Sequence, residues 1–156
     1  MKRNKIIVII PIYKSVLSDY DRISISRTCE VLASRDIVCI HPEGLDVGEV
    51  SRAFPSLEFK SFPKAFFEGI MGYNRMMMSS DFYSAFLDYD YMLICQTDAY
   101  IFRDELDDWC ARRYDYVGAP WLRRPVYDNP LLKRCMRLSL WYKHLCGRKS
   151  KQDLYN

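Results

Sequence analysis

Strand-like and helix-like segments alternate along most of this chain, and that alternation constrains its fold more than any other feature. Strands that alternate with helical crossovers imply a mostly parallel sheet with flanking helices, an α/β architecture. Lys5–Ile10 is the first expected strand, closed by Pro11. Ser18-x-x-Asp21 has the form of a capping box, which predicts a helix from there to about Ala33. Arg35–Asp36 then turns the chain into a short second strand, Ile37–Ile40, through a crossover expected to be right-handed.

His41–Pro55 contains Pro42, Gly44, Gly48 and Pro55 and reads as a connection with at most one short helix before a third strand, Leu57–Phe62. From Phe66 to Leu87 the apolar residues follow helical spacing, which predicts two helical pieces broken near Ser79–Ser80, with the methionines as core. Tyr91–Cys95 is apolar throughout and is expected to be the central strand, buried on both faces. Asp104 is expected to cap a short helix through Cys110, and Tyr114–Val117 to form another strand ending at Gly118-Ala119-Pro120-Trp121. A basic loop and an amphipathic helix from about Pro130 to Cys146 follow, so the chain divides into an α/β part, residues 1–122, and a basic tail, residues 123–156.

Residues 1–122 carry 14 Lys/Arg against 18 Asp/Glu, and residues 123–156 carry 9 against 2. The tail is the basic part, and it has no recognised nucleic-acid motif, so no nucleic-acid partner is expected. Arg123, Arg124, Lys133, Arg134, Arg137, Lys143, Arg148, Lys149 and Lys151 would suit an anionic membrane surface or an acidic partner. No stretch approaches the length of a membrane-spanning helix, and the short run Ile6–Ile10 lacks the cleavage site of a secretory signal. A cytoplasmic protein, peripheral at most to the inner face of the membrane, is expected. The six cysteines form no C-x-x-C pair and read as reduced and structural, with Cys135, His144 and Cys146 lacking the second pair that a zinc site needs.

Ligands of open α/β sheets bind at the carboxyl ends of the strands, which draws attention to Pro11–Lys14, Gln96–Asp98 and Gly118–Trp121. Asp98, directly after a buried strand, stands where a carboxylate can bridge Mg²⁺ or Mn²⁺ to a diphosphate, and would serve equally well as a helix cap or a solvated loop carboxylate. Lys14 suits a phosphate and Tyr13 a base, although a surface lysine and a half-buried tyrosine have the same spacing. Gly72-Tyr73-Asn74-Arg75 is expected to start a helix whose free N–H groups, with Arg75, suit an anion. The chain has no G-x-G-x-x-G, G-x-x-x-x-G-K-[ST] or G-x-S-x-G, and neither His41 nor His144 adjoins an evident nucleophile.

Taken together, Ile9–Lys14, Gly72–Ser79, Phe82-Tyr83-x-x-Phe86, Tyr91–Leu106 with Trp109-Cys110, and Tyr114–Trp121 resemble a largely bacterial glycosyltransferase-like family of unknown function. That family is grouped with the GT-A nucleotide-diphospho-sugar transferases. The resemblance covers roughly residues 5–122 and implies a Rossmann-like GT-A domain that binds a nucleoside diphosphate sugar. It also implies a divalent metal, Mn²⁺ or Mg²⁺, held by an Asp-x-Asp motif. Here the equivalent segment is Gln96-Thr97-Asp98, with Asp98 at the metal-ligating position and Gln96 in place of the first aspartate.

By the same resemblance, Pro11, Tyr13 and Lys14 would line the nucleotide pocket with Asn74 near it, and Gly118, Ala119, Pro120 and Trp121 would form part of the sugar or acceptor side. Members of the family continue into a glycine-rich segment and a second half, so the resemblance implies a domain incomplete at the C-terminus, with an exposed apolar face on the last helix near Trp141. The expectation is a glycosyltransferase acting on a glycan or lipid-linked acceptor. The alternative is a non-catalytic nucleotide-sugar-binding module, or one that docks on a membrane or partner.

Overall fold

Six successive residues, Ile6–Pro11, form strand β1 and are all buried, so both faces of this strand need a covering layer. A computed structural model describes residues 4–118 together with 130, 131, 134, 135 and 138. Its elements are β1, helix α1 (Asp19–Val31), β2 (Asp36–Pro42), α2 (Gly48–Ala53), β3 (Glu58–Phe62), a 3-10 turn (Lys64–Phe67), α3 (Gly69–Met77), α4 (Ser80–Ser84), β4 (Tyr91–Ile94) and α5 (Leu106–Ala111). The chain forms two compact units, Met1–Asp115 and Tyr116–Asn156.

The four strands make a wholly parallel sheet in the order β3-β2-β1-β4. Alternation of side chains along β1 feeds two separate cores. Ile7 and Ile9 point to one face, where Val38, Ile40, Phe62, Phe66, Met76, Phe82 and Phe86 join them from β2, β3 and the helical segments that follow β3. Val8, Ile10 and Ile12 point to the other, against Leu17, Ile25, Leu32, Val50 and Leu57 from around α1 and α2. Each such side chain contributes about 1.5–3 kcal/mol on burial, so β1 anchors both layers at once.

The expected strand Tyr91–Cys95 forms, as β4, but it is not central. It pairs only with β1 among the described residues, its four residues are each half-buried, and the doubly buried strand is β1. Tyr114–Val117 is not a strand. Arg113 adopts φ 55°, which turns the chain after α5, and Tyr114, Tyr116 and Val117 are exposed, leaving no buried face for a ladder to protect. Cys29, Cys39, Cys95, Cys110 and Cys135 are free, and burial pushes the Cys39 thiol up to about 12, which makes it chemically quiet.

Gly72 was expected near the start of a helix and instead lies inside α3, where its N–H donates to the Glu68 carbonyl at 3.2 Å. The helix begins earlier because Gly69 takes φ 64°, a left-handed turn that re-aims the chain after the 3-10 turn. The reason for glycine at 72 is close approach: a Cβ there would stand 2.5 Å from the Ala65 carbonyl oxygen and 3.1 Å from the Phe66 carbonyl carbon. Gly72→Ala is therefore expected to lower stability by about 1–3 kcal/mol through backbone displacement, read from the urea midpoint. An unchanged midpoint would mean that α3 and the 3-10 turn do not pack this closely.

Candidate functional site

In the strand order β3-β2-β1-β4 the sheet grows from β1 in one direction through β2 and β3, and the chain then returns to the opposite side of β1 to add β4. In doubly wound sheets the ligand crevice falls at such a reversal, which here lies beyond the carboxyl ends of β1 and β4. Two of the three segments singled out from the sequence, Pro11–Lys14 and Gln96–Asp98, leave adjacent strands there.

Pro11 is tolerated as the last residue of β1 because its neighbours settle the ladder without it. Ile12 donates to the Ile40 carbonyl at 2.8 Å on the β2 side, and the last bond on the β4 side runs from Cys95 N–H to the Ile9 carbonyl at 2.9 Å. Pro11, on the same side of the strand as Ile9, lies where β4 has already ended and no donor is required.

Beyond it, Tyr13 is 41% exposed and packs its ring edge-on to Phe67, with centroids 5.6 Å apart. Burial pushes the Tyr13 phenol above its usual range, and nearby Tyr73 and the Asp98 carboxylate add to the effect. Tyr73 and Asp98, from two other segments, thus lie near Tyr13. Tyr73, half-buried on α3, was not singled out in the sequence as a site residue. Asn74, which was, is exposed one position along the helix, where a step of about 100° turns it to another face. Gly72–Arg75 offers no helix N-terminus to an anion, because α3 is already under way there.

Asp21 is a second residue whose part in the site was not anticipated beyond capping. The box forms as read: Asp21 Oδ2 accepts from Ser18 N–H at 3.0 Å and from Ser18 Oγ at 2.6 Å, and Asp21 N–H donates to Ser18 Oγ at 3.2 Å. The Ser18 hydroxyl, then the Thr97 hydroxyl, and more weakly the Lys14 ammonium hold its carboxyl below the ordinary range. The cap of α1 therefore lies close to the loop that follows β4. Lys14, Gln96 and Asp98 are exposed and Thr97 is half-buried, so the crevice is open to solvent.

What sets that loop in place is a polar stripe on α1. Ser24 donates to the Ala99 carbonyl, Thr28 hydroxyl approaches Cys95 Sγ at 3.7 Å, and Arg27 donates to the Ile101 and Phe102 carbonyls at 3.0 Å each. Ala99 N–H closes the turn on the Gln96 carbonyl at 3.0 Å. Further on, Arg35 holds Asp104 at 2.9 Å and both oxygens of Asp107 at 2.9 and 3.1 Å. Asp104 also accepts from Leu106 N–H at 3.0 Å, although the helix it was expected to cap begins at Leu106 with no side-chain bond from its N-cap residue.

A shallow groove of about 350 Å³ lies elsewhere, lined by Arg22, Ile23, Ser26, Arg27, Glu30 and Tyr100. Its arginines are already engaged, Arg22 by Glu49 and Arg27 by Glu30 and two carbonyls, so the crevice at β1 and β4 carries the more versatile chemistry.

Among the described residues no group of three or more His, Cys, Asp or Glu side chains could hold a metal ion. Asp98 fits only a cation coordinated mainly by a ligand's own phosphates and water, which is how Mg²⁺ is commonly bound. Gly118 is exposed and belongs to the second unit, while Ala119, Pro120, Trp121 and Trp141 lie outside the described residues, as do the tail's lysines and arginines other than the exposed Arg134. Residues 130, 131, 134, 135 and 138 are helical, and Leu131 and Leu138 are exposed. No helix among the described residues is long and apolar enough to cross a membrane.

Together these features define a doubly wound α/β domain with a polar and aromatic cluster at its switch point. A family model described as a protein of unknown function (DUF5672) matches residues 56–155, nearly two thirds of the chain, and the chain belongs to that family. The matched span takes in Tyr73 and Gln96–Asp98 and begins after Tyr13, Lys14 and Asp21. No curated protein and no solved structure matches the chain.

Because the Asp21 carboxyl in the fold lies below its ordinary 3.8, its ionised form stabilises the protein above that value, and the contribution is lost as pH falls through the folded-state value. Asp21→Asn is expected to be less stable than wild type at pH 7, with the difference closing towards pH 2 in urea titrations. A difference that is the same at both pH values would contradict this. Ser18→Ala, which removes the cap hydroxyl, is expected to cost about 1 kcal/mol.

Proposed function

We propose that the chain binds a nucleoside diphosphate sugar at the β1–β4 crevice, as the donor-binding part of a glycosyltransferase of Rossmann-like GT-A type. One arrangement carries the reading: Tyr13 and Lys14 follow β1 and Asp98 follows the neighbouring β4 at the switch point of a doubly wound sheet, with the Tyr13 ring packed edge-on to Phe67. An aromatic face beside a lysine and a carboxylate suits a ligand with a planar base and a diphosphate.

In this reading the Tyr13 ring, braced edge-on by Phe67, takes the base. Lys14 meets a phosphate oxygen as a point charge. Asp98 ligates Mn²⁺ or Mg²⁺ through its carboxylate, and Gln96, exposed at the start of the same loop, is available to sugar or ribose hydroxyls. A cation held by Asp98 would neutralise the charge of the departing nucleoside diphosphate when a hydroxyl of a glycan or lipid-linked acceptor displaces it from the sugar, the hydroxyl proton passing to solvent.

Titration of the full chain with UDP and GDP, with and without Mn²⁺, tests the reading. Mn²⁺ is expected to tighten binding of at least one nucleotide by tenfold or more, on the order of 1.4 kcal/mol, and Asp98→Ala to abolish that gain. No binding of either nucleotide in the presence of Mn²⁺ would overturn it.

A further inference from the structure

Ser24, Ile25 and Thr28 are the buried residues of α1, so Ile23, Ser26, Arg27 and Glu30 fall on the opposite side of the helix, where three- and four-residue spacing makes them neighbours. With Arg22 and Tyr100 they line the groove of about 350 Å³. That volume stands at the small end of the range occupied by ligand pockets, about 300–1,000 Å³.

Tyr100 sits on backbone that is pinned on both sides. The Ala99 carbonyl accepts from Ser24 Oγ, and the Ile101 and Phe102 carbonyls accept from Arg27 at 3.0 Å each. The Arg27 guanidinium lies 5.8 Å from the Tyr100 ring centroid, and Phe102 packs edge-on to the same ring at 5.2 Å. Tyr100 nevertheless stays 49% exposed, so this bracing adds little to the core. Its effect is a ring fixed in place before a ligand arrives, which lowers the ordering cost of binding.

The polar groups of the groove favour an uncharged ligand. Arg27 pairs with Glu30 at 2.8 Å and Arg22 pairs with Glu49, so an anion would have to displace a carboxylate. An apolar peptide would strip water from the same ion pairs and return no hydrogen bonds. The Ser26 hydroxyl is exposed and has no hydrogen-bond partner among the described residues. Hydroxyl, carboxylate and guanidinium side by side offer donors and acceptors together. A sugar ring matches this set: it is neutral, its C–H face suits an aromatic ring, and its hydroxyls both donate and accept.

We propose that the groove between α1 and Tyr100 binds a neutral oligosaccharide, with one sugar ring stacked on Tyr100 and its hydroxyls bonded to Ser26 and Glu30. The proposal does not depend on the nucleotide-binding reading.

The isotope-labelled full chain is titrated with maltotriose, galactotriose, mannotriose and tri-N-acetylchitotriose, and with a sulfated heparin disaccharide, at low and high salt. At least one neutral trisaccharide is expected to bind saturably, to shift the Ser26 and Tyr100 amide signals, and to bind equally well at both salt concentrations. Tyr100→Ala is expected to weaken that binding about tenfold, the size of one lost aromatic contact. Ser26→Ala, at an exposed helical position where alanine is well tolerated, is expected to weaken it about threefold. Tyr100→Phe keeps the ring and is expected to bind as wild type does.

Failure of wild type to bind any neutral trisaccharide overturns the proposal, as does binding that both Tyr100→Ala and Ser26→Ala leave unchanged. A loss in Tyr100→Phe as large as in Tyr100→Ala overturns the stacking role. Binding of the sulfated sugar alone, lost at high salt, would make this an anion site. Self-association that Tyr100→Ala removes, seen by sedimentation with no sugar bound, would assign the face to a second copy of the chain. Either result also overturns the proposal.

Discussion

The arrangement of this domain depends on how α1 satisfies the chain that leaves β4. After Ile94 the backbone has no strand to pair with on that course, and carbonyls left without partners would draw it into solvent. Side chains of α1 supply those partners instead: Ser24 to Ala99, and Arg27 to Ile101 and Phe102, with Thr28 packed on Cys95, while Arg35, beyond the helix, holds Asp104 and Asp107. Thr28 is fully buried yet its hydroxyl is bonded to the Ser24 carbonyl, and the described residues contain no buried side-chain nitrogen or oxygen without a partner. The helix acts as a jig on which an irregular loop is laid out, and Asp98 takes its position from it.

The opposite face of the sheet follows a different logic. There the contacts are apolar and aromatic, with Phe62, Phe82 and Phe86 packed tilted or edge-on at centroid distances of 5.5–6.3 Å. Gly72 lets α3 lie directly on the 3-10 turn, which carries Phe67 to Tyr13 and Tyr73 to the same neighbourhood. The crevice is therefore bounded by a polar, hydrogen-bonded wall from α1 and an aromatic one from the segments after β3. That asymmetry gives the two sides different chemistry, one of hydrogen-bonding groups and one of aromatic rings.

How much of this was legible in the sequence depended on whether a cue was local. The alternation of strands and helices, the Ser18–Asp21 box and the break at Ser79–Ser80 are local signals, and all three appear. Tyr13, Lys14 and Asp98 could be marked because each follows a strand. Asp21 could not be read beyond capping, because its second partner, Thr97, is remote in sequence and reaches it only through the β1–β4 pairing. The same limit misled the reading of β4, whose composition suits a doubly buried strand while its place in the sheet is decided by crossovers. Tyr73 was not marked because Asn74 came from the family resemblance, and the nearness of Tyr73 to Tyr13 has no local cue in the sequence.

The pairing of β1 with β4 has a consequence for the order in which the molecule is made. Lys5 and Asp90, bonded at the foot of this pair, are 85 residues apart, so one side of the most apolar strand waits unpaired while β2, β3 and four α-helices are synthesised. Long-range parallel pairing is the slow step of α/β folding, and an open aliphatic edge is the hazard that accompanies it. Lys14 and Tyr13 are in place early, whereas Thr97 and Asp98 join them only when the last strand docks, so the crevice cannot exist in any partly folded chain.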